Sequence, residues 1–311
     1  MNWVPGSLGM LKINRDSIIY QFGPENIPVA KIGPGGTALL ETDDCFTSQI
    51  QGENDLVTEV DFSRVNPATG PLEVEGANPD DLLIVDILDI QVGSTGFMVA
   101  IPQEGVFGEM IKEPSTKVIP VSKGKFHFNS SLFFPVQPMI GVIGVSPGDR
   151  SMPCGEAGDH GGNMDAKVIT KGARVYFKVR QKGAMVALGD AHAGMGDGEA
   201  VICGVEITST VKIRLDIIAA PDFVPERPVV ELDDRFITIA HGPTLDDAAR
   251  SALEDMLDLL RYKTSMPVNE AGMLISAVGD LRVCQIVDPQ KTARVEMPKR
   301  VLPDPAKPLF F

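Results

Sequence analysis

The sequence predicts a mainly β protein, a β-rich α+β fold of antiparallel sheets, barrel or sandwich, with two helices near the C-terminus. Three observations point there. The chain carries 31 glycines and 24 prolines in 311 residues, above their usual share of roughly 12% together. Short apolar or alternating runs recur between Gly/Pro turns over the first 240 residues, and a period near 3.6 emerges only after Thr244.

Ser17–Phe22 and Ile27–Ile32 read as short strands, broken by Gly23-Pro24 and Gly33-Pro34-Gly35-Gly36. Thr37–Phe46 reads as a strand that brings Glu41, Asp43, Asp44 and Cys45 to its end, either as a site rim or as a turn cap. Residues 52–80, rich in Asn, Pro and Gly, are expected to form a loop region and a candidate lid. Asp81–Val92 alternates like a half-buried strand with Asp86 and Asp89 toward solvent, and His127 belongs to a strand surface. Ala200–Ile217 alternates as one long antiparallel strand, with 201, 205, 207, 211, 213, 215 and 217 on one face.

Thr244 with Asp247 gives an N-cap signal for a helix through Tyr262. A second helix is expected from Asn269, with Met273, Leu274, Ala277 and Val278 inward. The length permits one large domain or two ordinary ones, and residues 1–311 are read as a single unit, at most two closely packed β subdomains.

A formal charge of −14, with no basic cluster interleaved with aromatics, argues against nucleic acid as a partner. No apolar run reaches the roughly 18 residues of a membrane span, and Asn2, Trp3 and Pro5 do not resemble a leader, so a cytoplasmic protein is expected. Cys45, Cys154, Cys203 and Cys284 form no CxxC pair, which signals neither a zinc ribbon nor a disulfide scaffold.

Two glycine-rich stretches concentrate the chemistry. One is Cys154–Asp165, containing His160-Gly161-Gly162-Asn163; the other is Leu188–Glu199, containing Asp190-Ala191-His192 and Gly196-Asp197-Gly198. In an extended Asp-x-His the two side chains share a face roughly 6.6 Å apart, close enough for one metal ion or for the carboxylate to orient the imidazole. Asp44 and Glu199 can complete a mixed nitrogen and oxygen set suited to zinc, with calcium as a structural alternative. Asp159-His160 and His241-Gly242 are further histidine contexts. A rival mechanism uses Cys45 or Cys154 as a nucleophile activated by histidine. Gly196-Asp197-Gly198 also fits an ordinary tight turn.

The string His160–Asp165, followed by Leu188–His192 and Gly196–Glu199, resembles the acetamidase/formamidase family, as do Glu41–Cys45, Ile140–Val145 and Ser276–Arg282 leading into Gln285–Pro289. The resemblance implies a mainly β fold with C-terminal helices and hydrolysis of a short aliphatic amide to carboxylate and ammonia. It does not extend to amidases with Ser-Ser-Lys or Glu-Lys-Cys sites, so none of their catalytic residues is carried over. In the mechanism built on the local chemistry, Asp44, His160, Asp190 and His192 hold a divalent cation. Glu199 moves the proton, with Asn163 and His160 as its catalytic companions, and Gly161, Gly162 and Asp165 bind substrate. A non-catalytic metal-binding protein of the same fold and a hydrolase of a larger or cyclic amide are the alternatives. Strand edges and the proline-rich tail suggest a homodimer or higher homo-oligomer.

Overall fold

A computed structural model describes residues 10–310. The Asn2, Trp3 and Pro5 reading lies outside these residues. Alternating and β-branched runs become strands, and most of them join one large, mainly antiparallel hydrogen-bonded network. Its long axis is the pairing of Leu82–Ala100 with Glu206–Ile218, from Leu82 opposite Ile218 to Phe97 opposite Glu206. Register shifts between Ile207 and Ser209 and between Lys212 and Ile213 bend this ribbon.

Thr37–Thr42 pairs antiparallel to the same strand at Ser209–Arg214, while Leu11–Ile13 runs parallel to Thr37–Thr42 on its other edge. Val186–His192 occupies a junction, pairing with Met139–Gly144, with Ala68–Val74 and with the start of Glu206–Ile218. Side chains alternating inward, including Leu40, Leu72, Val85, Ile143, Leu188 and Ile213, form the main core.

Toward the C-terminus Arg235–Gly242, Lys291–Pro298 and Asp280–Gln285 form an antiparallel ladder. It is covered by α1 (Leu245–Thr264) and α2 (Val268–Val278). The Thr244 side chain accepts from the Asp247 amide, a cap contributing about 1 kcal/mol, and Ser265 ends α1 in the left-handed region. Ala252, Met256, Leu259 and Leu260 of α1 pack with Phe236, Val295 and Met297 of the ladder.

Several sequence expectations change. The region 52–80 contains a buried strand, Ala68–Val74, because its Leu72 and Val74 serve the main core. The long strand begins at Glu206, and 200–205 form a turn segment in which Ile202 has φ 109°. In α2 the buried positions are Ala271 and Ile275, whereas Met273 is 65% exposed, since α2 presents only a narrow stripe. Asp86 pairs with Arg174 at 2.6 Å and Asp89 with Lys171 at 2.8 Å, which accounts for both acids without a site.

Candidate active site

The two glycine-rich stretches flank one strand. Met139–Gly144 pairs on one side with Gly161–Asn163 and on the other with Val186–His192. Beyond Asn163 the chain turns back, and the amides of Met164 and Asp165 donate to the Gly141 carbonyl at 3.1 and 3.3 Å. Asp165 is thereby delivered next to Asp190. Only a residue without a side chain fits beneath them: a Cβ on Gly141 would lie 2.5 Å from Asp165 Oδ1 and 2.8 Å from Asp190 Oδ2.

His192 lies directly across from Glu206 in the strand pairing. Its Nε2 is 3.1 Å from Glu206 Oε1, 3.4 Å from Asp190 Oδ1 and 4.0 Å from Asp165 Oδ1. Gly204 backs the ring, since a Cβ there would come within 2.7 Å of His192 Nδ1. Asp165, His192 and Glu199 bring one donor atom each within 4.8 Å of one another, and Cys45, Asp190 and Glu206 do the same. All six are buried. Asp165, Asp190 and Glu199 have φ of 43°, 51° and 48°, a costly backbone for non-glycine residues that the surrounding structure enforces at this spot.

Burial pushes the Asp165 carboxyl well up, with Glu199 and Asp190 adding to the effect. Burial likewise lifts Glu199 well above its usual range and Glu206 to about 7. For His192 burial favours the neutral ring, yet the Glu206 and Asp190 charges together hold it well above 6.5. Burial also works against ionised Asp190, but the adjacent His192 draws it below the usual carboxylate value. Four carboxyls thus face one imidazole, more acid groups than the single ring can pair with, so burial and mutual repulsion favour the protonated form of those left over. Asp165 Oδ1, Asp190 Oδ1, Glu206 Oε2 and His192 Nδ1 are buried without hydrogen-bond partners. This mixed nitrogen and oxygen set, with one thiol alongside, fits a divalent cation.

The other sequence-derived residues take separate places. Asp44 is buried, and its Oδ1 accepts from the Phe46 and Ser48 amides at 2.9 and 3.1 Å, so it caps the turn that carries Cys45 toward the cluster. Burial raises its pKa to about 6. Asn163 Nδ2 donates to Asp288 Oδ2 at 2.8 Å. Gly161 and Gly162 serve the strand pairing with Ile143 and Gly144.

His160 belongs to neither donor group. It points to the other side, packs edge-on against Phe22 with centroids 5.1 Å apart, and burial drops its pKa to about 3. The preceding Asp159 faces His241 at 3.2 Å and Arg227 at 3.1 Å. Cys154 is fully buried in a small apolar cluster with Phe22 and Val142, and burial raises its thiol far above the reactive range.

Sequence reading missed Glu206 and Asp288; it placed Cys45 at the rim of a site as a candidate nucleophile, and the structure sets it beside Asp190 and Glu206. Glu206 occupies a polar position of the alternating run, which was the only local signal. Asp288 follows the Gln285 segment, whose Gln285 Oε1 accepts from the Val287 and Asp288 amides. Burial raises Asp288 to about 7.

Two cavities flank the cluster. One, of about 630 Å³, is bordered by Glu199, Cys203 and Gly204 and walled by Phe126, Phe128 and Phe134. The other, of about 490 Å³, reaches Cys45, Cys203 and Asp288. The segment from Glu199 to Cys203 is the septum between them.

Fold and site together define a predominantly β protein with a buried imidazole and carboxylate centre between two cavities. A model of the Acetamidase/Formamidase family matches residues 12–154 and 146–302, and the chain belongs to that family. The fold is similar to the crystal structure of an acetamidase from Bacillus halodurans, with a TM-score of 0.91, 44% identity, and coverage of 93% of this chain and 98% of that one. A predicted acetamidase/formamidase from the thermophile Thermoanaerobacter tengcongensis gives a TM-score of 0.91, 41% identity and coverage of 94% and 97%. The formamidase of Methylophilus methylotrophus is 29% identical over 265 residues, 66% of this chain and 65% of that relative's own length. This chain therefore spans slightly less than two thirds of that relative. Among the described residues no helix is long and apolar enough to cross a membrane.

Proposed function

We propose that this protein hydrolyses a short aliphatic amide, such as formamide or acetamide, to carboxylate and ammonia. One observation carries the reading: Asp165, Asp190, His192, Glu199 and Glu206 converge, buried and incompletely hydrogen-bonded, beside two cavities in a chain of the Acetamidase/Formamidase family. Asp165, Asp190, His192 and Glu206 would hold a divalent cation, zinc by preference for this donor set, with Glu199 beside them. When bound, such an ion supplies a Lewis acid that polarises a carbonyl and acidifies water.

The protein's own groups do the rest. Glu199 belongs to the cluster and borders the larger cavity, so it can accept a proton from water arriving there and return it to the departing nitrogen. Glu206 and Asp190 hold the His192 ring at Nε2, and Gly204 packs against it at Nδ1. Asn163 orients Asp288 through their hydrogen bond. The thiols are not the nucleophiles in this reading, because burial and nearby carboxylates keep Cys45 protonated.

The test is ammonia release from formamide, acetamide and propionamide, before and after chelation, with elemental analysis of the same preparation. Metal-dependent release is expected. Release that survives complete metal removal overturns the metal assignment, and no release from metal-loaded protein overturns the activity.

A further inference from the structure

The 490 Å³ cavity has two unlike walls. One is apolar: Phe46, Val57 and Val99 belong to a buried cluster that also includes Cys45 and Cys203, and Ile101 and Ile202 pack against it. The other is polar, built from Asn66, Glu156 and Asp288. Asn66 is held there by its own amide, which donates to the Cys45 carbonyl at 2.7 Å, and Asp288 by Asn163 at 2.8 Å. Cys45 and Cys203 also line the cavity, and Cys45 lies within 4.8 Å of the Asp190 and Glu206 donor atoms. A cavity of this size and lining accepts ligands well beyond acetamide, which has four heavy atoms.

We propose that this cavity is an acyl-chain subsite, so that the preferred substrate is an unsubstituted amide with a linear acyl chain of about six carbons, its chain along Phe46, Val57, Val99 and Ile101. The inference rests on the amide-hydrolysis reading and extends its substrate class. The carbonyl then sits by Cys45 beside the cluster, and the amide nitrogen faces the polar wall, where Asp288 and Glu156 can accept its N–H groups. Water reaches the same carbonyl from the other cavity, past Glu199. The septum Glu199–Cys203 separates chain from water, and its Ile202, a β-branched residue at φ 109°, is held in a conformation that such residues otherwise avoid.

The experiment is a ladder of kcat/KM on the metal-loaded protein for acetamide, butyramide and hexanamide, with calorimetric binding of hexanamide to the same sample. The expected result is a rise of about fourfold per added methylene. In Val57→Trp, which fills the apolar end, the hexanamide-to-acetamide ratio is expected to fall at least tenfold. Because overfilling a core can unfold it, the ladder on unaltered protein decides independently of the variant. Acetamide turnover with values falling along the ladder overturns the subsite and leaves amide hydrolysis standing. Hexanamide binding without turnover of any amide upholds the subsite and overturns the activity. Neither binding nor turnover overturns both.

Discussion

Glu206 Oε1 stands 3.1 Å from His192 Nε2 and accepts the Gly204 amide at 2.9 Å. One carboxylate oxygen thus ties the imidazole to the backbone that seals its far side. Glu206→Gln keeps the shape and the contact with Gly204 but removes the charge. Loss of such a partner typically weakens metal affinity and activity 10- to 100-fold. Elemental analysis after dialysis against graded chelator, with ammonia release, measures both; full metal content and normal turnover would falsify a ligand or ligand-orienting role for Glu206.

Gly141 separates the site from ordinary sheet packing. Gly141→Ala pushes a methyl group into Asp165 Oδ1, Asp190 Oδ2 and the Asp190 carbonyl, all within 2.9 Å. The expected cost is about 1–3 kcal/mol of stability together with loss of bound metal. Gly272→Ala in α2 meets nothing within 4 Å and replaces glycine in a helix, so it should stabilise by up to about 1 kcal/mol. Thermal melting of the two variants should move in opposite directions; a tolerated Gly141→Ala with normal metal content removes the steric account.

How much of this was legible in the sequence depends on the range of the interaction. Asp190 and His192 meet because they are two apart on one strand, and α1 begins directly after Thr244 as expected because its N-cap signal is local. Glu206 reaches the cluster by pairing opposite His192 of the preceding strand, and Cys45 by the turn after Thr37–Thr42, a strand paired with the distant Ser209–Arg214; no local pattern encodes either register. His160 and Asp159 are sequence neighbours pointing to different surroundings, so an adjacent acid and histidine indicated a site where the fold gives a packed ring and a surface ion pair. The strand Ala68–Val74 was hidden because its Thr69, Gly70 and Pro71 resemble a turn, although tertiary pairing buries them.

Acid sensitivity should report on His160. Burial, then the His241 and Arg180 charges, lowers its folded pKa to about 3, against roughly 6.5 when unfolded. Between these values the unfolded chain binds the extra proton, so stability falls as pH drops below 6.5. From pH 7 to pH 5 the loss is about 2 kcal/mol. His160→Gln, which cannot take up that proton, should lack this component. Urea unfolding of both proteins at the two pH values gives the difference; equal acid sensitivity means that His160 is solvated or paired.

Arg294 tests whether the Gly196-Asp197-Gly198 turn matters through its anchorage. Its side chain is 1% exposed, and Nη1 and Nη2 donate to Asp197 at 2.8 and 2.9 Å while Nε donates to Glu296 at 2.8 Å. The Gly198 amide also donates to the Cys284 carbonyl, so the C-terminal ladder holds the turn from which Glu199 projects. Arg294→Met removes the charged hydrogen bonds to Asp197 and Glu296, but Asp197 keeps Lys167 at 3.2 Å and Glu296 keeps Arg235 at 3.5 Å, so it should cost about 1–3 kcal/mol. Arg294→Lys keeps the charge but not the two-pronged geometry, so it should melt closer to the unaltered protein while kcat drops. If Arg294→Lys loses stability but keeps full kcat, Glu199 does not depend on this anchor, and the bond from Gly198 to Cys284 is sufficient to place it.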